Sequence, residues 1–319
     1  MEIAIWSMVF IVSLAVLIKS SDYFTEKAEL VGKFFKLPPF IIGVTIVALG
    51  TSLPEMVSSV MAVFSGASEI VVSNVIGSNI TNIFLVLGLT AIICNGLKAY
   101  YNLIRVDLPL LIASSFFLAA AIWDGSFHWM EALLSLAGVG VYIIYTVNSQ
   151  EKNKESRAAK KAENKKSSED NLKLKDVLVL VISAFFIFLG AKYTIDSVIK
   201  LSEILQIGTE IIAISAVALG TSLPELTVSI KAATQGKAEI ALGNILGSNI
   251  FNSFAVMGVA GLFGNLVIPS QILAFGLPMM LMATFLYFFK AQDREITKWE
   301  GSLLMIFYLF FIGKTLSLF

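Results

Sequence analysis

The chain has 319 residues, of which 57% are hydrophobic and 14% charged, with 23 basic against 23 acidic side chains. Soluble globular domains carry about 25% charged residues, so this composition, with a mean hydropathy of +0.83, excludes a soluble enzyme and a nucleic-acid-binding module. Apolar stretches long enough to cross a bilayer recur from end to end, which leaves an integral membrane protein with the lipid bilayer as its surroundings.

In chain order the apolar stretches lie near 3–24, 39–64, 70–95, 106–123, 129–148, 176–199, 209–233, 239–264, 269–289 and 299–317. The first lacks a positively charged leading region and a small-residue cleavage site, and reads as a retained helix rather than a signal peptide. Those around 55, 80, 225 and 250 are interrupted by Gly, Pro and polar residues, which predicts broken helices at the membrane midplane. The fold expected is an all-α membrane protein of ten transmembrane helices. Residues 1–148 make the first five-helix half, 149–175 a charged loop, and 176–319 the second half. Because five is odd, the second half enters the membrane upside down, as an inverted-topology repeat. The loop is mixed in sign and almost free of aromatics, the composition of a solvated tether.

Lys and Arg concentrate on the cytoplasmic side of membrane proteins. With both termini outside, 19 of the 23 basic residues fall on the inner segments, nine of them between Lys152 and Lys175, and the outer loops hold only Lys200. The expected location is the cell membrane, multi-pass, with N- and C-termini outside and the central loop cytoplasmic. The single Cys94 rules out an intrachain disulfide, and the lone His128 sits beside Asp124 and Trp129 in a short loop as an interfacial residue. Lys19 with Asp22, and Lys192 with Asp196, have the spacing of helical ion pairs, the alternative being that each lysine snorkels to the interface. Trp6, Trp123, Trp129 and Trp299 fall at span ends as an aromatic belt.

The densest information is a repeat. Residues 41–88 align without a gap onto 211–258 at a constant offset of 170, with 25 of 48 pairs identical. Each copy carries one carboxylate in apolar sequence, Glu55 and Glu225, although an ionisable group at membrane depth costs about 2.5–3.5 kcal/mol even on lenient scales. Each also carries GTSLPE. Pro54 and Pro224 cannot donate to the carbonyl four residues back, which frees backbone oxygens near Thr51 and Thr221 for a cation. Ser52 and Ser222 lie three residues before the glutamates, within reach on a helix face.

The second part of each copy places Asn74, Ser78 and Asn82, repeated as Asn244, Ser248 and Asn252, at i, i+4, i+8. Such a stripe of small polar residues also serves as helix-packing glue, but two copies after a Pro-Glu signature point to a site. Two bidentate glutamates supply four oxygens and the Thr51 and Thr221 carbonyls two more. Asn82, Asn252 or water then complete the 6–8 hard oxygens that Ca²⁺ prefers. No sulfur or imidazole is at hand for zinc, copper or iron, and Mn²⁺ and Mg²⁺ stay open on ligand type.

The paired GTSLPE and GSNI-x-N motifs, the five-plus-five layout and the central loop resemble the sodium/calcium exchanger family of the cation/Ca²⁺ antiporter superfamily, whose alpha-repeats these regions match. So compact a chain is similar to its prokaryotic-type members. The resemblance implies that Glu55 and Glu225 are acidic ligands shared by Ca²⁺ and Na⁺, with Thr51 and Thr221 giving backbone carbonyls to Ca²⁺. It further implies two lateral Na⁺ sites, one of Ala48, Ser52 and Ser78, the other of Ala218, Ser222 and Ser248, with Asn82 and Asn252 flanking the centre. Some relatives carry Asp at the position of Asn252, and its absence here makes K⁺ co-transport less expected. The implied activity is electrogenic antiport of about three Na⁺ per Ca²⁺ by alternating access, spans 1 and 6 sliding against the rest. Ca²⁺ and Na⁺ are then substrates, with no cofactor and no obligate protein partner. A proton-coupled cation exchanger on the same scaffold is the alternative. A channel would require a continuous pore, and an intramembrane enzyme a nucleophile–base pair or metal–His motif that this sequence lacks.

Overall fold

The computed structural model describes residues 2–35, 37, 39–64, 66–98, 107–152, 172–204, 222–316 and 318. Among them the chain is helical almost throughout. The first half contains α1 (Glu2–Phe34), α2 (Pro39–Phe64), α3 (Glu69–Ile93), α4 (Asp107–Ala121) and α5 (Trp129–Lys152). The second contains α6 (Leu174–Ile204), α7 (Leu223–Thr234), α8 (Ala238–Phe263), α9 (Ile272–Ala291) and α10 (Lys298–Thr315). Six described helices are long and apolar enough to cross a membrane: α1, α2, α3, residues 129–146 of α5, α8 and α9. Large apolar side chains such as Ile11, Leu134, Val181 and Leu309 stand on the outer surface, where in a bilayer they meet lipid.

Two pairs of two-residue strands clasp the bundle at its ends. β1 (Leu97–Lys98) and β4 (Glu295–Ile296) pair antiparallel with Leu97 opposite Ile296. β2 (Ser126–Phe127) and β3 (Leu266–Val267) pair with Ser126 opposite Val267. The α2–α3 turn lies at the β2–β3 end, where the Val267 amide donates to Ser68 Oγ at 3.3 Å. The α7–α8 turn contacts α1 instead, through Lys237 and Glu29 at 2.6 Å. The two turns close alike: Gly66 (φ 75°) and Gly236 (φ 77°) take the left-handed conformation that glycine tolerates best. Ala67 N then bonds Ala62 O, and Lys237 N bonds Ala232 O, each at 2.9 Å, capping the helix ends.

The core around the repeat is built on backbone contact. A Cβ on Gly43 would collide with the Ile240 carbonyl, and Cβ atoms on Gly243 and Gly247 with the carbonyls of Phe40 and Val44. The small-xxx-small spacing of Gly243 and Gly247 therefore presses α8 directly onto the first turns of α2, as membrane helices do where no hydrophobic force drives them together. Between the two halves, α1 and α6 lie side by side, with Lys27 Nζ 3.2 Å from Asp176 Oδ1.

Two expectations need correction. α2 does not break at Pro54: the helix runs continuously from Ala48 to Phe64, and the irregularity is a widened turn upstream, Gly43–Val47. Proline removes one backbone hydrogen bond, which a buried helix survives when neighbours support it. α3 and α8 likewise widen rather than break, over Asn82–Leu87 and Asn252–Val256, so each widened turn begins on the second asparagine of its motif. Such single wide turns are frequent at functional sites. Asp22 does not pair with Lys19 but with Lys231 Nζ, at 3.1 Å. Lys192 Nζ lies 5.8 Å from the centre of the Tyr193 ring. Trp123 and Trp299, 76% and 75% exposed, stand outward as belt residues.

Candidate cation site

The centre of the bundle holds Glu55 on α2 and Glu225 on α7, both 0% exposed, and among the described residues they are the only fully buried charged side chains. Leu223–Thr234 begins with Pro224 at its second position, where the missing N–H costs nothing; this puts Glu225 in the first turn of α7, with its carboxylate against Ser52 of α2. Ser52 Oγ donates to Glu225 Oε1 at 3.4 Å, so the first repeat's motif touches the second repeat's glutamate.

Around them the polar stripes converge. Thr51 Oγ1 donates to Asn244 Oδ1 at 3.0 Å and lies 3.4 Å from Ser248 Oγ and 3.3 Å from the Ala48 carbonyl. Asn79 Nδ2 donates to Ser253 Oγ at 2.9 Å and to the Asn249 carbonyl at 3.4 Å, where α3 crosses α8. Ser78, Asn82, Ser222 and Asn252 are all buried.

What distinguishes this centre is what it leaves unsatisfied. Both oxygens of Glu55, Oε2 of Glu225, the hydroxyl of Ser222 and the whole amides of Asn82 and Asn252 are buried with no hydrogen-bond partner among the described residues. A buried polar atom without a partner costs about 1–3 kcal/mol, and more when charged, so such a concentration demands a complement. The donor set consists of oxygens carrying two formal charges, which suits a hard cation. The groove of 480 Å³ lined by Phe24, Leu53, Val57 and Phe185 between α1, α2 and α6 offers a cation nothing.

Of the twelve residues singled out in the sequence, Ala48, Thr51 and Ser248 share one chain of hydrogen-bond contacts, and Ser52 meets Glu225. Glu55, Ser78, Asn82, Ser222 and Asn252 are buried. Ala218 and Thr221 lie outside the described residues, as does most of the central loop. The sequence reading gave no separate role to Ser229, Asn79 or Asn249, and treated Asn244 only as part of a stripe. The signal was present, because Ser59/Ser229, Asn74/Asn244 and Asn79/Asn249 are identical pairs of the repeat.

Comparison with known proteins places the chain. The sequence pattern of the sodium/calcium exchanger protein family matches residues 5–149 and 175–315. The chain is 33% identical to the sodium/calcium exchanger MaX1 of Methanosarcina acetivorans, over 96% of this chain and 97% of that one. It is 34% identical to the membrane protein MJ0091 of Methanocaldococcus jannaschii, covering 96% of each. In three dimensions it superposes on the sodium-calcium exchanger NCX_Mj soaked with Na⁺ and Sr²⁺, with a TM-score of 0.82 at 29% identity, over 98% of this chain and 99% of the other. The chain is thus a membrane transporter, and it belongs to the sodium/calcium exchanger family.

Proposed function

We propose that the protein exchanges Na⁺ for Ca²⁺ across the cell membrane by alternating access, with Glu55 and Glu225 as the shared ligands. The observation that carries this reading is the pair of fully buried glutamates, three of whose four oxygens have no hydrogen-bond partner among the described residues, in a member of this family. Two carboxylates neutralise one Ca²⁺; three Na⁺ leave one positive charge, so the cycle is electrogenic. Because both ions need the same carboxylates, their binding is mutually exclusive, and exclusivity converts two binding events into exchange. Thr51 and Thr221 lend carbonyl oxygens to Ca²⁺. Ala48, Ser52 and Ser78, with Ala218, Ser222 and Ser248, take the flanking Na⁺ ions, and Asn82 and Asn252 border the centre.

Ten spans in two inverted halves fit the placement of the α2–α3 and α7–α8 turns at opposite ends of the bundle. The α7–α8 end gathers Lys27, Lys33, Lys98, Lys231, Lys237 and Lys290, so it faces the cytoplasm and both termini lie outside. The pairing of α1 with α6 supports their movement as one unit against the other eight helices.

The test is ⁴⁵Ca²⁺ uptake into Na⁺-loaded proteoliposomes, with Na⁺-free and pH-jump controls, for the wild type and Glu225→Gln. Uptake that requires the outward Na⁺ gradient and vanishes in the variant is expected. Uptake that follows the pH gradient and ignores Na⁺, or that survives Glu225→Gln, would overturn the reading.

A further inference from the structure

Asn79 and Asn249 are identical twins of the repeat, both buried where α3 crosses α8, yet their amides are used differently. Asn249 Nδ2 turns back onto its own helix and donates to the Ile245 carbonyl at 2.6 Å. Asn79 Nδ2 reaches across the repeat boundary, to Ser253 Oγ at 2.9 Å and the Asn249 carbonyl at 3.4 Å, with Met280 Sδ of α9 at 3.7 Å. All three neighbours are acceptors, so the donor end of the amide is aimed at them.

A single residue difference accounts for the reach of Asn79. Ser253 stands where the first repeat has Ile83, and an isoleucine side chain offers an amide no acceptor. Ser253 is also the second residue of the widened turn Asn252–Val256. It directly follows Asn252, whose whole amide is buried with no hydrogen-bond partner among the described residues. Asn79 therefore grips this turn at two points, the carbonyl of Asn249 just before it and the hydroxyl of Ser253 within it.

We infer that Asn79 and Ser253 form a positioning strut from α3 to α8 that aims the Asn252 amide at the cargo. A widened turn departs from the regular helix ladder, so the direction of a side chain at its start depends on what pins the turn. The amide donor on α3 and the hydroxyl on α8 supply that pin, and neither is itself a ligand. The inference rests on the exchange reading, in which Asn252 borders the central ion and the serines take the flanking Na⁺. Loss of the strut then weakens Ca²⁺ more than Na⁺.

Ca²⁺ Kd, and the Na⁺ half-saturation without Ca²⁺, are read from thermal unfolding of the purified protein as each ion is titrated, which requires no turnover. Ser253→Ala should raise the Ca²⁺ Kd about fivefold, the worth of one hydrogen bond, and move the Na⁺ value less than about twofold. Ser253→Thr keeps the hydroxyl and should stay within about twofold of the wild type. Asn79→Leu removes the donor from the other side of the strut and should repeat the Ca²⁺ loss, so the test stands if Ser253→Ala fails to fold. In an Asn252→Ala background, Ser253→Ala should add nothing, because the strut acts through that amide. An unchanged Ca²⁺ Kd, equal losses for both ions, or a loss that persists without the Asn252 amide overturns the strut, since a merely structural role would give one of these. A wild type from which Na⁺ does not displace Ca²⁺ would count against the exchange reading; a wild type in which the two ions compete, with any of those three results, counts against the strut alone.

Discussion

A carboxylate buried without a partner is the most expensive group a membrane protein can carry, and among the described residues neither oxygen of Glu55 has a hydrogen-bond partner. Removing the charge while keeping the volume should therefore have opposite effects on binding and on the ion-free fold. For Glu55→Gln, Ca²⁺-dependent uptake should fall at least about 100-fold, because a unit charge about 4 Å away contributes about 4 kcal/mol at an effective dielectric near 20. In buffer without Ca²⁺ or Na⁺, the variant should melt no lower than the wild type. Ca²⁺ at about 100 times Kd should stabilise the wild type by about 2.7 kcal/mol and leave the variant unmoved; thermal unfolding with and without Ca²⁺ reads all of this. Ser52 and Ser222 separate the ions. If their hydroxyls serve the flanking Na⁺ sites, Ser52→Ala and Ser222→Ala should each raise the Na⁺ requirement for Ca²⁺ efflux about fivefold, the worth of one neutral oxygen ligand, with Ca²⁺ KM changed less than about twofold. Equal effects on both ions would refute that division. The glutamates and serines were legible in the sequence because the chain states them twice in apolar surroundings. The reach of Asn244 was not, since its partners Thr51 and Ser229 come from two other helices.

At the level of elements, hydropathy located the helices and local chemistry misjudged their joints. Pro54 was expected to break α2, yet the helix passes through it, because backbone contact with α8 at Gly43, Gly243 and Gly247 holds the helix in place upstream of the proline. Asp22 has Lys19 three residues away in sequence, but Lys231 on α7 is the partner it meets. Which charges pair was decided by how α1 lies on α7, and no periodicity within α1 contains that. The pair is about one-third exposed on each side, so solvent screening limits its worth. A double-mutant cycle with Asp22→Asn and Lys231→Gln should return a coupling of about 0.5 kcal/mol in thermal stability, shrinking at high salt. Additive single effects would show that α1 is held to α7 by packing and by the Ser21–Thr227 contact at 3.0 Å rather than by charge.

Over the whole molecule, the distribution of charge decides how the cycle feels the membrane potential. Among the described residues only Glu55 and Glu225 are both charged and fully buried, so the cargo must neutralise two charges and no third carboxylate alters the count; Asn stands at both 82 and 252. On the proposed stoichiometry one Ca²⁺ crosses as a neutral complex, and three Na⁺ cross with one positive charge in excess. In a Na⁺-loaded vesicle each turnover then exports one net positive charge as Ca²⁺ enters, and an inside-positive potential favours uptake. A charge moved through 100 mV is worth about 2.3 kcal/mol, or about 50-fold in the ratio of Ca²⁺ accumulated at steady state. Clamping proteoliposomes with valinomycin and K⁺ gradients, inside-positive and inside-negative, reads that ratio directly. A stoichiometry of two Na⁺ per Ca²⁺ predicts no response to either potential, so a flat result would mean that one of the flanking serine sites does not carry Na⁺ through the cycle.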